Sequence, residues 1–467
     1  MRFLITLRVR MALITLFVFY GNFFLLIIII LKYIIIILGE IMDNFISNLF
    51  DILKINTIYN TDMLPFGSGN IKCLNYMLEL GKKEGFKVSN LDNYCGYIEY
   101  GNSSDYVGVL CHLDIVDVNM DKWTSNPFDP VVIDNKIYAR GALDDKGPLM
   151  ASFYAIKELK DEGFYPNKKI RLIMGCNEES GSKCMEYYKQ KEPSPIYSFS
   201  PDAEYPVIFG EKGILTIKVK GMIPSVIKEI KGGTKFNIVP DKVVVTLNDN
   251  TKLEYLGKSC HAMEPSKGIN AISIAFNDLK TRYNDFFINF MDKYFTNDLD
   301  GHKLNSSYTD EMMQDLTENV SIISYENEYL ELIINFRLPS NSCYDVIKKN
   351  LDLILKPYNL SYEILDDMKV HMVDPNSFLV KTLLNSYIKY TNDFNAKAIS
   401  IGGGTYAKSF KNSVAFGIRM PGEEDTCHID NEYVNIDTLR KSILIMKDAL
   451  KELCKWEERI YLMPKKR

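Results

Sequence analysis

The sequence is poor in what a disulfide framework, a nucleic-acid binder or a repeat protein needs. Its nine cysteines are odd in number and no two form a Cys-x-x-Cys pair, so over 467 residues they read as reduced thiols of a cytosolic chain. Positive charge is not in excess, since 55 Lys and Arg face 60 Asp and Glu for a net charge of -5. Phosphate binding needs a basic surface, which argues against nucleic acid as a partner. No internal repeat and no low-complexity linker is present. Histidine is scarce, five in the whole chain, so each one asks for an account. What remains is an ordinary globular composition, 46% hydrophobic and 25% charged, at a length that suits two domains.

Charge is also missing from one stretch near the start. Met11 to Leu31 carry none, and Ile34 to Leu38 extend the apolar run beyond Lys32. By length this is a transmembrane candidate, with Arg2, Arg8 and Arg10 holding the N-terminus inside. Against that, Met42 opens a segment with an acidic first turn and apolar residues at helical spacing, which reads as a protein start of its own. Two readings follow: a start placed too early on a cytoplasmic protein, or a membrane anchor through residues 11–38. Residues 1–41 are set aside from fold reasoning.

Taken in order, 42–56 and 70–84 read as helices. A strand Tyr106 to Cys111 delivers His112 and Asp114 at its C-terminal end, where open α/β sheets bind ligands. Val131 to Ala139 reads as a hairpin turning at Asp134 and Asn135, and Lys146 to Glu162 as an amphipathic helix. Lys169 to Cys176 reads as a strand running into Glu178 and Glu179, and Tyr197 to Ser200 as a shorter one running into Asp202. From about Gly210 the texture changes to short alternating strands, a helix from Ser266, strands at Val320 to Ser324 and Tyr329 to Phe336, a helix from Asn341 and a strand at Leu360 to Leu365. That pattern predicts a small α+β unit inserted into an α/β protein. Near Lys369 the chain returns to the first unit with a helix from Asn376, glycines 402–404, a strand at Val414 to Ile418, His428 and a closing helix from Ile436.

Between the hairpin and its helix lies Gly141-Ala-Leu-Asp-Asp-Lys-Gly147. Two adjacent aspartates at such a junction are costly unless something cationic meets them. Cys111-His-Leu-Asp114, Asn177-Glu-Glu-Ser-Gly181, Ser200-Pro-Asp-Ala-Glu204 and Asp425-Thr-Cys-His-Ile-Asp430 each add nitrogen or oxygen ligands suited to zinc. The bland alternatives are local. Asp144 and Asp145 could cap the following helix, and the Glu pair could be a solvated turn. His302 and His371 lack motif context and read as structural. Cys111, Cys176, Cys260 and Cys427 read as small buried side chains behind the strand ends.

With these motifs in place the chain from Met42 onwards resembles the M20 family of metallopeptidases, most closely its PepV-type dipeptidases. The resemblance implies an α/β zinc-peptidase catalytic domain (mixed sheet flanked by helices; 42–210 and 372–467) carrying an inserted α+β, ferredoxin-like lid (211–371). It implies two zinc ions, replaceable by manganese or cobalt, with Asp144 bridging, His112 and Asp202 completing one site and Glu179 and His428 the other. It makes Glu178 the general base, Asp114 the partner of the His112 imidazole, and His261 of the lid the group that stabilises the oxyanion. A cis peptide between Asp144 and Asp145 is part of the same implication. Arg337, Asn237 and the loop Gly402, Gly403 and Gly404 with Thr405 would bind substrate, the arginine and the loop at its carboxylate. The implied reaction is hydrolysis of a dipeptide by a di-metal-activated water. An N-acyl amino acid deacylase or desuccinylase shares the metal set, and a non-catalytic metal-binding scaffold is the alternative outside enzymes.

Overall fold

A computed structural model describes residues 44–455. The N-terminal apolar run lies outside the described residues, and among those described no helix is long and apolar enough to cross a membrane. Two sheets organise the chain, each with its own apolar core.

The first sheet has nine strands and mixes directions. At its centre the strand Tyr106–His112 is buried at every position, and it runs parallel to Lys169–Gly175 on one side and to Tyr197–Ser200 on the other. A strand buried on both faces can be apolar throughout, and Val107, Val109 and Leu110 make it so. Parallel pairing also aligns the strand ends: His112 sits opposite Gly175. The helix Lys146–Asp161 packs across the inner strands and is itself covered by the closing helix Ile436–Leu453. The hairpin forms with Asp134 and Asn135 at φ 49° and 62°, left-handed values that Asn and Asp tolerate best among residues with a Cβ. Two antiparallel strands, Lys87–Leu91 and Cys95–Tyr100, extend one edge of this sheet.

The second sheet is antiparallel throughout, seven strands built from Gly213 to Met368. Four of them, Ser361–Met368, Gly213–Met222, Tyr329–Leu338 and Thr317–Glu326, lie side by side in the chain order four, one, three, two. That is the ferredoxin-like arrangement, with helices Ala271–Arg282 and Ser342–Leu355 as its two crossovers. Ile227–Gly232, Lys242–Leu247 and Lys252–Leu256 add three strands beyond it. Leu330, Leu332, Ile334 and Phe336 fill the interior of this unit, each contributing roughly 1.5–3 kcal/mol by leaving water.

The second unit enters and leaves on neighbouring chain segments. His371 pairs with Glu211 in antiparallel register, and the Lys408 ammonium donates to the carbonyl of Lys212 (2.6 Å) on the way in and of Lys369 (3.0 Å) on the way out. The units also touch away from this crossing. Met313 is buried beside Gly210, and Ser400 Oγ donates to the Met312 carbonyl at 2.7 Å.

Candidate active site

Three aligned strand ends and two loops build the site. His112 closes its strand with the backbone N–H donating to Asp145 Oδ2 at 2.9 Å. Its Nε2 lies 2.8 Å from Asp144 Oδ1 and 3.6 Å from Asp202 Oδ2. On the opposite side His428 Nε2 lies 2.9 Å from Asp144 Oδ2 and 3.1 Å from Glu179 Oε1. The Asp144 carboxylate therefore faces a different imidazole with each oxygen. The peptide between Asp144 and Asp145 is cis. Asp145 stands at the N-cap position of the helix Lys146–Asp161 but its side chain caps nothing, being spent on His112, so helix capping does not account for the pair.

Asp114 is placed differently from its sequence reading. The ring nitrogen Nδ1 of His112 meets the Asp114 backbone carbonyl at 2.8 Å and its carboxylate only at 3.6 Å. The carboxylate instead accepts the backbone N–H groups of Glu178 (2.9 Å) and Glu179 (3.0 Å). It thereby folds the turn after the strand Lys169–Gly175 onto the site, so that the adjacent glutamates take different directions. Glu179 reaches His428. The Glu178 carboxylate has no hydrogen-bond partner among the described residues, and the residue as a whole is half-buried.

Asp144, Asp145, Glu178, Glu179 and Asp202 thus gather around the imidazoles of His112 and His428, and among the described residues no lysine or arginine is bonded to any of these five carboxylates. Lys146, next in sequence, turns away and donates to the Ile55 carbonyl at 2.8 Å. Burial is the first cause that raises the proton affinity of Asp145, Glu178 and Glu179, and the neighbouring carboxylates add to it. Burial, with Asp144 beside it, pushes Asp202 up to about 6. Asp144 alone goes down: burial opposes its ionisation, and the two imidazoles outweigh burial. His112, Asp144 and Glu179 each offer a ligand atom within 4.8 Å of the others. A donor set of mixed nitrogen and oxygen, with more negative charge than its imidazoles can balance, fits divalent cations.

The inserted unit carries two further candidates, His261 and Arg337. His261 lies in a loop clamped to Asn237, whose carbonyl accepts the Ala262 N–H at 2.8 Å. Its Nδ1 accepts the Met263 N–H at 3.1 Å, which leaves the ring hydrogen on Nε2. Burial first, then the charges of Arg337 and His428, lower its pKa to about 4, so the ring is neutral near pH 7. Arg337 is only 3% exposed. Its Nε donates to Asn335 Oδ1 at 2.8 Å and its Nη1 to the Gly402 carbonyl at 2.9 Å, with no carboxylate bonded to it. Burial draws its pKa down to about 10, still charged at neutral pH. Gly402 is where the two units meet closely: a Cβ there would fall 2.6 Å from Met263 Cβ. The N–H groups of Gly403 and Gly404 have no acceptor among the described residues, whereas Thr405 gives its N–H and hydroxyl to Glu211.

The remaining candidates settle elsewhere. His371 donates through Nε2 to the Ser413 carbonyl at 2.7 Å, a structural role, and His302 lies in the Asp298 loop of the inserted unit. Cys111 and Cys176 are buried behind the strand ends, while Cys260 and Cys427 are partly exposed. Sequence reasoning passed over Tyr406, whose ring meets His112 edge-on at 6.2 Å and whose hydroxyl lies 2.8 Å from the Cys184 sulfur. It also passed over Arg140 and Glu432, beneath the Asp144 loop. Nothing in the local sequence separates Glu432 from Glu423 or Glu424.

Residues 108–452 match the model of peptidase family M20/M25/M40. The chain belongs to the M20 family. It is 36% identical over 459 residues to YtjP of Bacillus subtilis (strain 168), a protein named provisionally as a dipeptidase, covering 88% of this chain and 98% of that one. Among solved structures human carnosine dipeptidase 1 superposes with a TM-score of 0.61 at 13% identity, over 91% of this chain and 98% of its own. The Bacillus subtilis YXEP protein, described as a dinuclear metal binding peptidase of the M20 family, gives 0.51 at 10% identity, over 88% and 99%. At such identities the structures show the shared fold, while the family match and YtjP make the chain an M20 peptidase, a hydrolase.

Proposed function

We propose that this M20 peptidase is a dipeptidase working with two zinc ions. The observation that carries the reading is the Asp144 carboxylate, which faces His112 with one oxygen and His428 with the other. His112, Asp202 and Asp144 would hold one ion, and Asp144, Glu179 and His428 the second. When bound, such a pair acidifies water and polarises the scissile carbonyl.

The protein's own groups do the rest. Glu178, unbonded at the rim of the cluster, takes the proton of the attacking water and returns it to the leaving amine. Neutral His261 donates its Nε2–H to the carbonyl oxygen as negative charge develops there. Arg337 and the free N–H groups of Gly403 and Gly404 grip the C-terminal carboxylate of the substrate, with Gly402 as the point of contact to the arginine. A buried guanidinium without a carboxylate is an unfinished ion pair, and a substrate carboxylate completes it. Asn237 shapes the His261 loop and, with it, the substrate pocket. In this reading residues 211–371 are the lid and close over 42–210 and 372–467. Dipeptides as substrates are carried over from the names of YtjP and carnosine dipeptidase 1, and a cytosolic setting is supported by nine free thiols.

The test is hydrolysis of free dipeptides, tripeptides and N-acetyl or N-succinyl amino acids by residues 42–467, zinc-loaded and after chelation. Chelator-sensitive cleavage confined to dipeptides is expected. Preference for the acylated amino acids would keep the ion pair and replace the dipeptidase reading with a deacylase or desuccinylase.

A further inference from the structure

We infer that Glu432, paired with Arg140, is a positioning residue that fixes the Asp144 loop and the His428 loop against one another and thereby sets how tightly the site holds its metals. The inference rests on the metal-binding reading above. Glu432 has no exposed surface. Its Oε1 accepts the N–H groups of Leu143 (2.7 Å) and Asp144 (3.1 Å), and its Oε2 accepts the N–H of Gly141 (3.0 Å) and Arg140 Nη1 (2.8 Å). Four donors match the four lone-pair positions of one carboxylate, so Glu432 has none left for an ion and is not itself a ligand.

The same brace holds the second loop. Arg140 Nη2 donates to the carbonyl of Ile429 at 3.1 Å, and the Glu432 carbonyl accepts the Ala139 N–H at 3.2 Å. Directly before Ile429 stands His428 at φ 62°, a left-handed backbone that a histidine keeps only where its surroundings hold it. Asp144 and His428, the two groups that meet at 2.9 Å, are thus tied through one buried ion pair beneath them. The N–H groups of the Gly141–Asp144 loop form a concave nest of the sort that captures anions, and here the chain fills it with its own carboxylate. A carboxylate so completely satisfied is rigid, and rigidity is what two ligands on separate loops need in order to present one geometry to an ion.

Glu432→Gln keeps the shape and puts an amide N–H2 against backbone donors. Zinc affinity, measured by competition with a chromogenic chelator, is expected to fall about 10–100-fold. The visible spectrum of the cobalt-loaded variant should shift, while KM for a dipeptide at saturating zinc stays at the wild-type value. A purely structural role would lower the unfolding midpoint of the metal-free protein and move neither the spectrum nor the affinity of the folded fraction. A folded E432Q with wild-type zinc affinity and cobalt spectrum overturns the inference. If E432Q does not fold, Arg140→Lys, which keeps the charge and loses the second arm to Ile429, takes its place, and wild-type affinity there overturns it equally. A wild-type chain that binds zinc but cleaves no dipeptide removes the proposed substrate and leaves this comparison of affinities to decide the brace. One that binds no zinc removes both.

Discussion

The two units bury charge in opposite ways. The catalytic sheet gathers five carboxylates and two imidazoles at the ends of parallel strands, on short loops locked by other buried groups: Asp114 under the glutamates, Glu432 under Asp144. The inserted sheet is antiparallel over an apolar core and buries its charges singly: Glu318 with no hydrogen-bond partner for its carboxylate among the described residues, and Arg337 with no carboxylate bonded to it. Groups that must share an ion within a few tenths of an ångström sit on rigid strand ends. In the reading proposed above, His261 and Arg337 meet only the substrate and ride on a unit that swings away. Losses in the first unit should therefore appear in kcat or metal content, and losses in the second in KM and closure.

The largest expected effect tests the first half of that contrast. Glu178→Ala should lower kcat about 10²–10⁴-fold with zinc content unchanged by atomic absorption; lost zinc would make Glu178 a ligand and blur the division. Next, Arg337→Met in the lid should lower kcat/KM about 10²–10³-fold, chiefly through KM. It should not lower the thermal midpoint of the free protein, because a buried guanidinium without a carboxylate is replaced by an apolar side chain of similar length. A collapse of kcat at unchanged KM would place Arg337 with the chemistry instead.

Gly402→Ala probes the seam between the units. Its methyl would fall 2.6 Å from Met263 Cβ, and overpacking of about 1–3 kcal/mol against closure should raise KM several-fold to about a hundredfold, with Met263→Ala in the same chain restoring most of it. The smallest effect is a slope. His261 titrates near 4 in the folded protein and near 6.5 unfolded. The unfolded chain therefore binds the extra proton first, and the fold loses stability as pH falls from about 6.5 to 4. His261→Gln should flatten denaturant midpoints over that window while leaving those at pH 8 alone; an unchanged slope would mean that His261 is not held neutral by the lid.

The parts of this arrangement that were legible in the sequence are those written in local pattern. The motifs around His112, Asp144, Glu179, Asp202 and His428 stand at predicted strand ends or between predicted elements, and the structure draws these five side chains together. The helix Lys146–Asp161 and the turn at Asp134 and Asn135 fall where periodicity and turn chemistry put them. What stayed hidden depends on distant partners. The edge strand Lys87–Leu91 is mostly polar and becomes a strand by pairing with Cys95–Tyr100, which in turn pairs with Arg171 and its neighbours. Glu432 is one glutamate among many until Arg140, 292 positions away, is placed against it. The family resemblance pairs Asp114 with the His112 imidazole, and what it does not convey is that the carboxylate, 3.6 Å from that ring, spends its hydrogen bonds on the backbone of the glutamate turn.

The chain leaves the catalytic sheet after Glu211 and comes back at His371, and those two residues are direct antiparallel neighbours. Their Cα atoms are therefore separated by about 5 Å, a gap that a two-residue turn spans. Everything between them is a cassette in the architectural sense: its ends coincide, so it could be excised or exchanged without retracing the path of the surrounding sheet. The Lys408 ammonium, bonded to both ends, marks the splice. Exchange of the whole cassette would cut the chain at this one joint and would have to rematch the contacts at Gly210, Ser400 and Gly402.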